Sequence, residues 1–399
     1  MAGKPSICFV AHNAYGAVAR RDTGHVGGIE RQQALMARWM ASRGYSVTVI
    51  TWAEGADGDE HYDGVRVVKA CARDAGVPVL RFVHPRWSSL CRAMKRADAD
   101  VYYYNCGDMG LGQVVLWCRR NNRSSVYSVA SEPDCQRDLP VLKPWRERML
   151  YRYGLLNVDH VVVQTRRQAA LLEEGFGLDA EVLPMPCDLS AALRMAPAQL
   201  RTDRSPHVLW VGRIDQVKRF DWLVRLAEKL PECIFDVVGD ANVDSEYVDA
   251  CKKTAGRLAN VRMHGRVHHD QMAKYYGEAQ VLCSTSAYEG FPNTFLEAWS
   301  HGLPVVATFD PDGLIRRERL GRVVDDIEQA EQAIRDVLGS PPEWEAASAA
   351  ARQYVLQHHE IDAAMSKFEE MFLRVHSGHE LAVSSVEQPR AAVTASSRT

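Results

Sequence analysis

The chain has 399 residues, 46% hydrophobic and 25% charged, with a formal net charge of -3. That length exceeds one ordinary core, so two domains are expected, and the slightly acidic balance excludes the broad basic footprint of a nucleic-acid binder. No apolar run is long enough to span a bilayer, and the ten cysteines include no Cys-x-x-Cys pair, which argues against a structural metal site or a disulfide scaffold.

The start, MAGKPSICFVAHN, lacks the apolar segment of a secretory leader and runs straight into a short strand, so a cytoplasmic chain is expected. SICFVA and YSVTVIT read as strands. Between them lies IERQQALMARWMASRG, where Met36, Ala37 and Met40 share a helical face and Gly44 supplies a stop. VRVVKA, DVYYY, SSVYSVA and HVVVQT follow as strands, with LGQVVLWCRR and RRQAALLEEG as helices among them. Strand–helix alternation of this kind predicts a parallel sheet covered on both faces.

From Pro184 to Pro206 the chain is proline-rich with little strand signal, and it reads as a linker. The alternation then restarts. HVLWVG, CIFDVVGD, VRMHGRV, QVLCST and LPVVAT are strands; RFDWLVRLAEKL, DQMAKYYGEA and TFLEAWSHG are helices. Two helical segments close the pattern, Glu343 to Gln357 and Asp362 to Val375. The divisions are an N-terminal domain over 1–188, a C-terminal domain over 206–357, a last helix over 358–376 and a disordered tail over 377–399.

Three segments carry chemistry. In Glu289-Gly-Phe-Pro-Asn-Thr-Phe-Leu-Glu297, Pro292 suits the first turn of a helix. Free N–H groups around Asn293 and Thr294, with the helix dipole, make an anion site at a strand's carboxyl end. Glu297, one turn on, can accept two hydrogen bonds from a ribose diol, and Glu289 faces a sugar. In HVLWVGRIDQVKRF, Gly212 and Arg213 end a strand and Lys218 precedes a helix. Ligands of open α/β sheets collect there, and two cations neutralise a departing diphosphate. Either cation alone is ordinary surface charge. The third segment, Gly27-Gly28-Ile29-Glu30, lets backbone approach a phosphate at a helix start. G-x-G-x-x-G and the P-loop pattern are both absent, which argues against a dinucleotide dehydrogenase and a P-loop NTPase.

Together these residues resemble the retaining family-4 glycosyltransferases of the GT-B fold, over nearly the whole chain to about residue 375. The resemblance rests on Gly-Gly-Ile-Glu at the first helix, Val-Gly-Arg…Lys opening the second domain, and Glu-x7-Glu with Ala298 and Gly302-Leu-Pro-Val-Val after it. It implies an α/β architecture of two Rossmann-like, doubly wound domains facing across a cleft, with the last helix crossing back to the first. It implies a retaining, metal-independent transfer from a nucleoside-diphosphate-sugar to a glycan, lipid-linked or small-molecule acceptor in polysaccharide or glycoconjugate biosynthesis, with no separate cofactor. Arg213 and Lys218 match the diphosphate pair, Glu297 the ribose ligand and Glu289 the residue near the donor sugar; Arg213, Lys218 and Glu289 are the catalytic candidates. Gly27 and Gly28 match the loop over the phosphates, and Gly239 and Gly265-Arg266-Val267 fall where the family lines its base pocket.

One departure stands out. Where many members carry a histidine on the N-domain side, this chain has Ser131-Glu132-Pro133-Asp134. Glu132 and Asp134, with His12, are candidates for the acceptor side; a turn-capping role suits Asp134 equally. Asp98-Ala-Asp100 fits a metal motif but reads as a helix-to-strand turn. Lys143, Arg146, Arg148 and Arg152 cluster with Trp145, Met149, Leu150 and Tyr153, which suits peripheral contact with the inner face of a membrane; the same stretch also reads as a surface helix packing its apolar side on the N-domain sheet. Two other functions fit the residues: a related enzyme such as a nucleotide-sugar epimerase, and an inactive nucleotide-sugar-binding protein.

Overall fold

Valine- and isoleucine-rich runs form two separate sheets in the structure, a computed structural model that describes residues 3–387 apart from 22, 24–26, 79 and 202. The first sheet holds β1 (Ile7–Val10), β2 (Val47–Thr51), β3 (Glu60–Tyr62), β4 (Val65–Lys69), β5 (Val101–Tyr104), β6 (Ser124–Ser128), β7 (His160–Val163) and β8 (Glu181–Val182). Its order is β3-β4-β2-β1-β5-β6-β7-β8, and β3–β4 is its antiparallel pair. The second holds β9 (His207–Val211), β10 (Ile234–Val238), β11 (Val261–Gly265), β12 (Val281–Ser284), β13 (Val305–Ala307) and β14 (Gly321–Val323), all parallel in the order β11-β10-β9-β12-β13-β14.

Alternate residues of the first sheet feed two cores. Ile7, Phe9, Val101 and Tyr103 face the Gly28–Ser42 helix; Cys8, Val10, Tyr102 and Tyr104 face Leu90, Met94 and Leu111 on the other side. Burial on both faces explains why these strands read as continuous apolar runs. The cysteines are all free thiols, and Cys8 and Cys283 lie buried within strands.

The chain passes from the first sheet to the second through a segment that carries a short helix, Ser190–Arg194. It returns at its end. The helix Ile361–Glu387 places Met365, Phe368, Met371 and Phe372 in the first domain's core, where Phe372 meets Phe9 and Tyr103. Trp39 donates to Asp362 at 2.7 Å and Tyr45 to Glu369 at 2.9 Å, fixing the register of this return.

Two expectations need correction. Residues 377–387, read as part of a disordered tail, are helical, because the last helix continues through Glu387; residues 388–399 of that expected tail lie outside the described ones. Composition alone concealed that a helix docked on a core can continue past its apolar positions. Pro292 takes the N-cap position and not the first turn, the helix running Asn293–Ser300. Asp98, in a left-handed conformation, ends a helix before β5, while Asp100 accepts from Ser6 and both acids pair with Arg123. Those bonds give Asp98-Ala-Asp100 a structural role.

Candidate functional site

The strand ends of the second domain are packed too closely for side chains. Gly239 has φ +127°, and a Cβ there would stand 1.9 Å from the Gly212 carbonyl oxygen. Gly212 N donates to Val238 O at 3.0 Å and Gly239 N to Gly265 O at 2.8 Å, so the ends of β9, β10 and β11 form one floor. Val267, just beyond, is half-buried against the domain core. Arg266 donates to Ala241 O at 2.8 Å.

On this floor the loop after β9 is stitched to the loop after β12. Lys218 N donates to Asp215 at 2.9 Å, Thr285 Oγ1 donates to Lys218 O at 2.6 Å, and Ala287 N donates to Val217 O at 2.7 Å. Arg219 adds two bonds, to Thr285 O and Ser286 O at 2.7 and 2.9 Å. The result sets the Lys218 ammonium against the Glu289 carboxylate in a close ion pair. Arg213 is 57% exposed, with its Nε 3.5 Å from Asp215, so its guanidinium fork stays available to a ligand.

Two helix beginnings meet beside this pair. Gly27 caps the Gly28–Ser42 helix, and Glu30 returns to accept from Gly27 N at 3.1 Å. Asn293 opens its own helix, and its side-chain amide donates to Gly28 O at 3.0 Å across the two domains. A Cβ on Gly28 would stand 3.0 Å from that amide, so the absence of a side chain permits the approach. The first-turn N–H groups of each helix, Asn293 and Thr294 among them, have no partner within their own helix, and the two positive dipole ends lie side by side at this contact.

One turn further, both oxygens of Glu297 have neighbours. The buried Tyr276 hydroxyl donates to its Oε2 at 2.6 Å; Arg31 and His269 lie 3.8 and 4.0 Å from its Oε1. Burial and the Glu297 charge push the Tyr276 phenol well up, so it stays a donor, while burial pushes the His269 imidazole down. The sequence had not singled out Tyr276, Arg31 or His269. Arg31 directly follows Gly-Gly-Ile-Glu, which is the one local signal among them.

The first domain closes the other side. Glu132 N donates to Glu289 O at 3.3 Å and Phe291 N to Gln164 Oε1 at 2.6 Å. A Cβ on Gly290 would stand 2.3 Å from Ala130 O, so only glycine lets these loops touch. Burial raises the Glu132 carboxyl, which Arg167 opposes and Asp312 reinforces. Asp134 is buried; Ser131 N and Oγ both donate to its Oδ2 at 2.9 Å, closing a capping box, and burial pushes it up to about 6. Burial chiefly raises the Tyr288 phenol; Asp134, Asp215 and Glu289 reinforce this and Arg213 opposes it. His12 lies in the field of Asp108, which also acts on Asp134. It stacks on Trp52 with centroids 4.3 Å apart, and burial lowers it, with Asp108 opposing.

Comparison with known proteins matches this division. The family model for glycosyl transferases group 1 matches residues 205–340, and that for a glycosyl transferase 4-like domain matches 27–188. The GtfA subunit of the UDP-N-acetylglucosamine–peptide N-acetylglucosaminyltransferase of Streptococcus parasanguinis is 30% identical over 175 residues, 41% of this chain and 33% of that protein. The chain thus matches about a third of that relative's length. Sucrose-phosphate synthase from Thermosynechococcus elongatus superposes with a TM-score of 0.77 at 19% identity, over 94% of this chain and 100% of that one. Anabaena HepE, solved with UDP and glucose, gives 0.70 at 18% identity, over 92% and 99%. The shared architecture is GT-B, two Rossmann-like domains of α/β class.

Proposed function

The chain belongs to the group 1 glycosyltransferases, and from that premise we propose that it moves a sugar from a nucleoside-diphosphate-sugar to an acceptor hydroxyl. The observation that carries this is the Lys218–Glu289 pair beside Arg213, next to two converging helix beginnings. Such an arrangement meets the chemistry of a departing diphosphate. The bond from the sugar's anomeric carbon to the phosphate oxygen breaks, leaving negative charge on the phosphate and positive charge on the sugar. Arg213, Lys218 and the first-turn amides stabilise the former. Glu289 is the carboxylate assigned to offset the latter. Glu297, tethered by Tyr276 through Oε2 and with Arg31 3.8 Å from its Oε1, is the residue assigned to the ribose diol.

Transfer with retained configuration follows if the acceptor oxygen approaches from the face the phosphate leaves, its proton passing to that phosphate. Side-chain cations and helix amides supply the neutralisation that a divalent ion would otherwise give, so activity is expected to survive a chelator. A glycan or a lipid-linked hydroxyl is the proposed acceptor class, meeting the first domain's edge near Glu132. The names of the GtfA relative and of the HepE complex make UDP the first nucleotide to test.

The test is a thermal-shift screen of UDP, GDP, ADP and dTDP, repeated on Lys218→Ala and Arg213→Ala. One nucleoside diphosphate should raise the melting temperature in proportion to the logarithm of its concentration. Each variant should lose roughly 100-fold in turnover, the scale of a lost oxyanion donor. Wild-type turnover in both variants would end the diphosphate assignment.

A further inference from the structure

The helix Trp145–Asn157 is anchored through Tyr151, Gly154 and Leu155, all buried. Gly154 packs against the backbone of Gly112, where its Cβ would come within 2.7 Å. That contact turns another face outward: against the expectation of packing on the sheet, the second half of the helix rests on the Gly110–Arg120 helix, with Tyr151 reaching Tyr127 of β6. Trp145 is 72% exposed and Met149 60% exposed. Spaced four residues apart, they share a helical face. An adjoining segment does the same: Leu80 is 67% and Val83 59% exposed, and they line a hollow of about 560 Å³ with Val77 and Pro85. The two segments are joined, because the Arg146 guanidinium sits 5.3 Å from the centre of the Phe82 ring.

Exposed tryptophan, methionine and leucine on adjoining segments mark an interaction surface. Charge decides its partner. Residues 137–152 carry five cations, Arg137, Lys143, Arg146, Arg148 and Arg152, against Asp138 and Glu147, in a chain whose net charge is -3. All five cations are exposed, and a second hollow of about 260 Å³ lies between Arg137, Arg148 and Arg152. An apolar ridge ringed by long cationic side chains fits the boundary of an anionic bilayer: the stems and the indole enter the headgroup layer while the charges meet phosphate. We propose that the Leu80–Val83 segment and the outer face of the Trp145–Asn157 helix dock the protein on a membrane surface of anionic lipid. No described helix is long and apolar enough to cross a membrane, so the contact is peripheral.

Vesicle flotation tests this on the full chain. The protein should float with vesicles of phosphatidylcholine and phosphatidylglycerol at low salt, and stay behind with phosphatidylcholine alone or at high salt. Trp145→Ser with Met149→Ser should abolish flotation. Lys143→Gln with Arg146→Gln should weaken it roughly thirtyfold, the effect of two charges near such a surface. Both variants should keep the wild-type melting temperature and nucleotide-induced shift. Equal flotation of the variants, or none by the wild type, overturns the proposal. Self-association in sedimentation velocity, abolished by Trp145→Ser, overturns it in favour of a second copy of the chain. The donor site plays no part in this argument: failure to float leaves sugar transfer standing, and a protein that floats but answers to no nucleotide sinks transfer alone.

Discussion

Tyr276 and Asp134 show how burial fixes the behaviour of single residues. The Tyr276 hydroxyl orients Glu297 from inside the core through Oε2, while its Oε1 lies 3.8 Å from Arg31 of the other domain. Tyr276→Phe is expected to weaken nucleotide binding by about 1 kcal/mol, the scale of one hydrogen bond. Calorimetric titration measures it, and an unchanged affinity would remove Glu297 from the ribose site. Asp134 titrates from an ordinary 3.8 in the unfolded chain to about 6 when folded, because burial disfavours its charge. Between those values the folded state binds more protons. Stability should therefore fall as pH rises from about 4 to about 6, by on the order of 3 kcal/mol at most. Asp134→Asn keeps a capping acceptor without the charge. Urea midpoints across this range should fall less steeply in the variant, and parallel curves would rule the effect out.

Among the elements, the Arg166–Phe176 helix has its first amides satisfied by the other domain. Arg166 N and Arg167 N donate to the Asp312 carboxylate at 2.7 and 3.0 Å, while Thr165 caps from within. Asp312→Ala should cost about 1 kcal/mol and speed amide exchange at Arg166 and Arg167. Unaltered exchange there would mean the contact does not hold in solution. The long β-branched strands were plain in the sequence because burial on both faces makes their pattern local. The short strands β3, β8 and β14, two or three residues each, carry too little periodicity to be seen. The site followed the same rule. Arg213, Lys218, Glu289 and Glu297 sit in short motifs next to recognisable strand ends. Tyr276 reaches Glu297 from a preceding helix, and Arg31 reaches it from the other domain, contacts that no local spacing encodes. Trp145 and Met149 were visible as residues, but their outward direction depended on the backbone contact between Gly154 and Gly112.

At the scale of the molecule, the chain leaves the first domain at residues 183–206 and comes back near His359, where the two crossings touch. Cys187 N donates to His359 O at 2.7 Å, and the His359 ring meets Met185 O at 2.8 Å, with burial lowering its imidazole to about 4. Beyond this crossing, Phe368 is fully buried in the first domain. Phe368→Ala should cost about 3–5 kcal/mol. Hydrogen exchange should then rise in β1 and β5 while β9 and β10 keep their protection. Equal loss in both sheets would mean that the return helix stabilises the whole molecule and not one half.

That return helix also sets an order in time. Residues 361–387 emerge from the ribosome only after both sheets have been made, so Phe9 and Tyr103 lack their final cover while the second half is still being synthesised. The half that is born first is thus finished last, and its oily face needs shielding in the interval, by a chaperone or by provisional collapse.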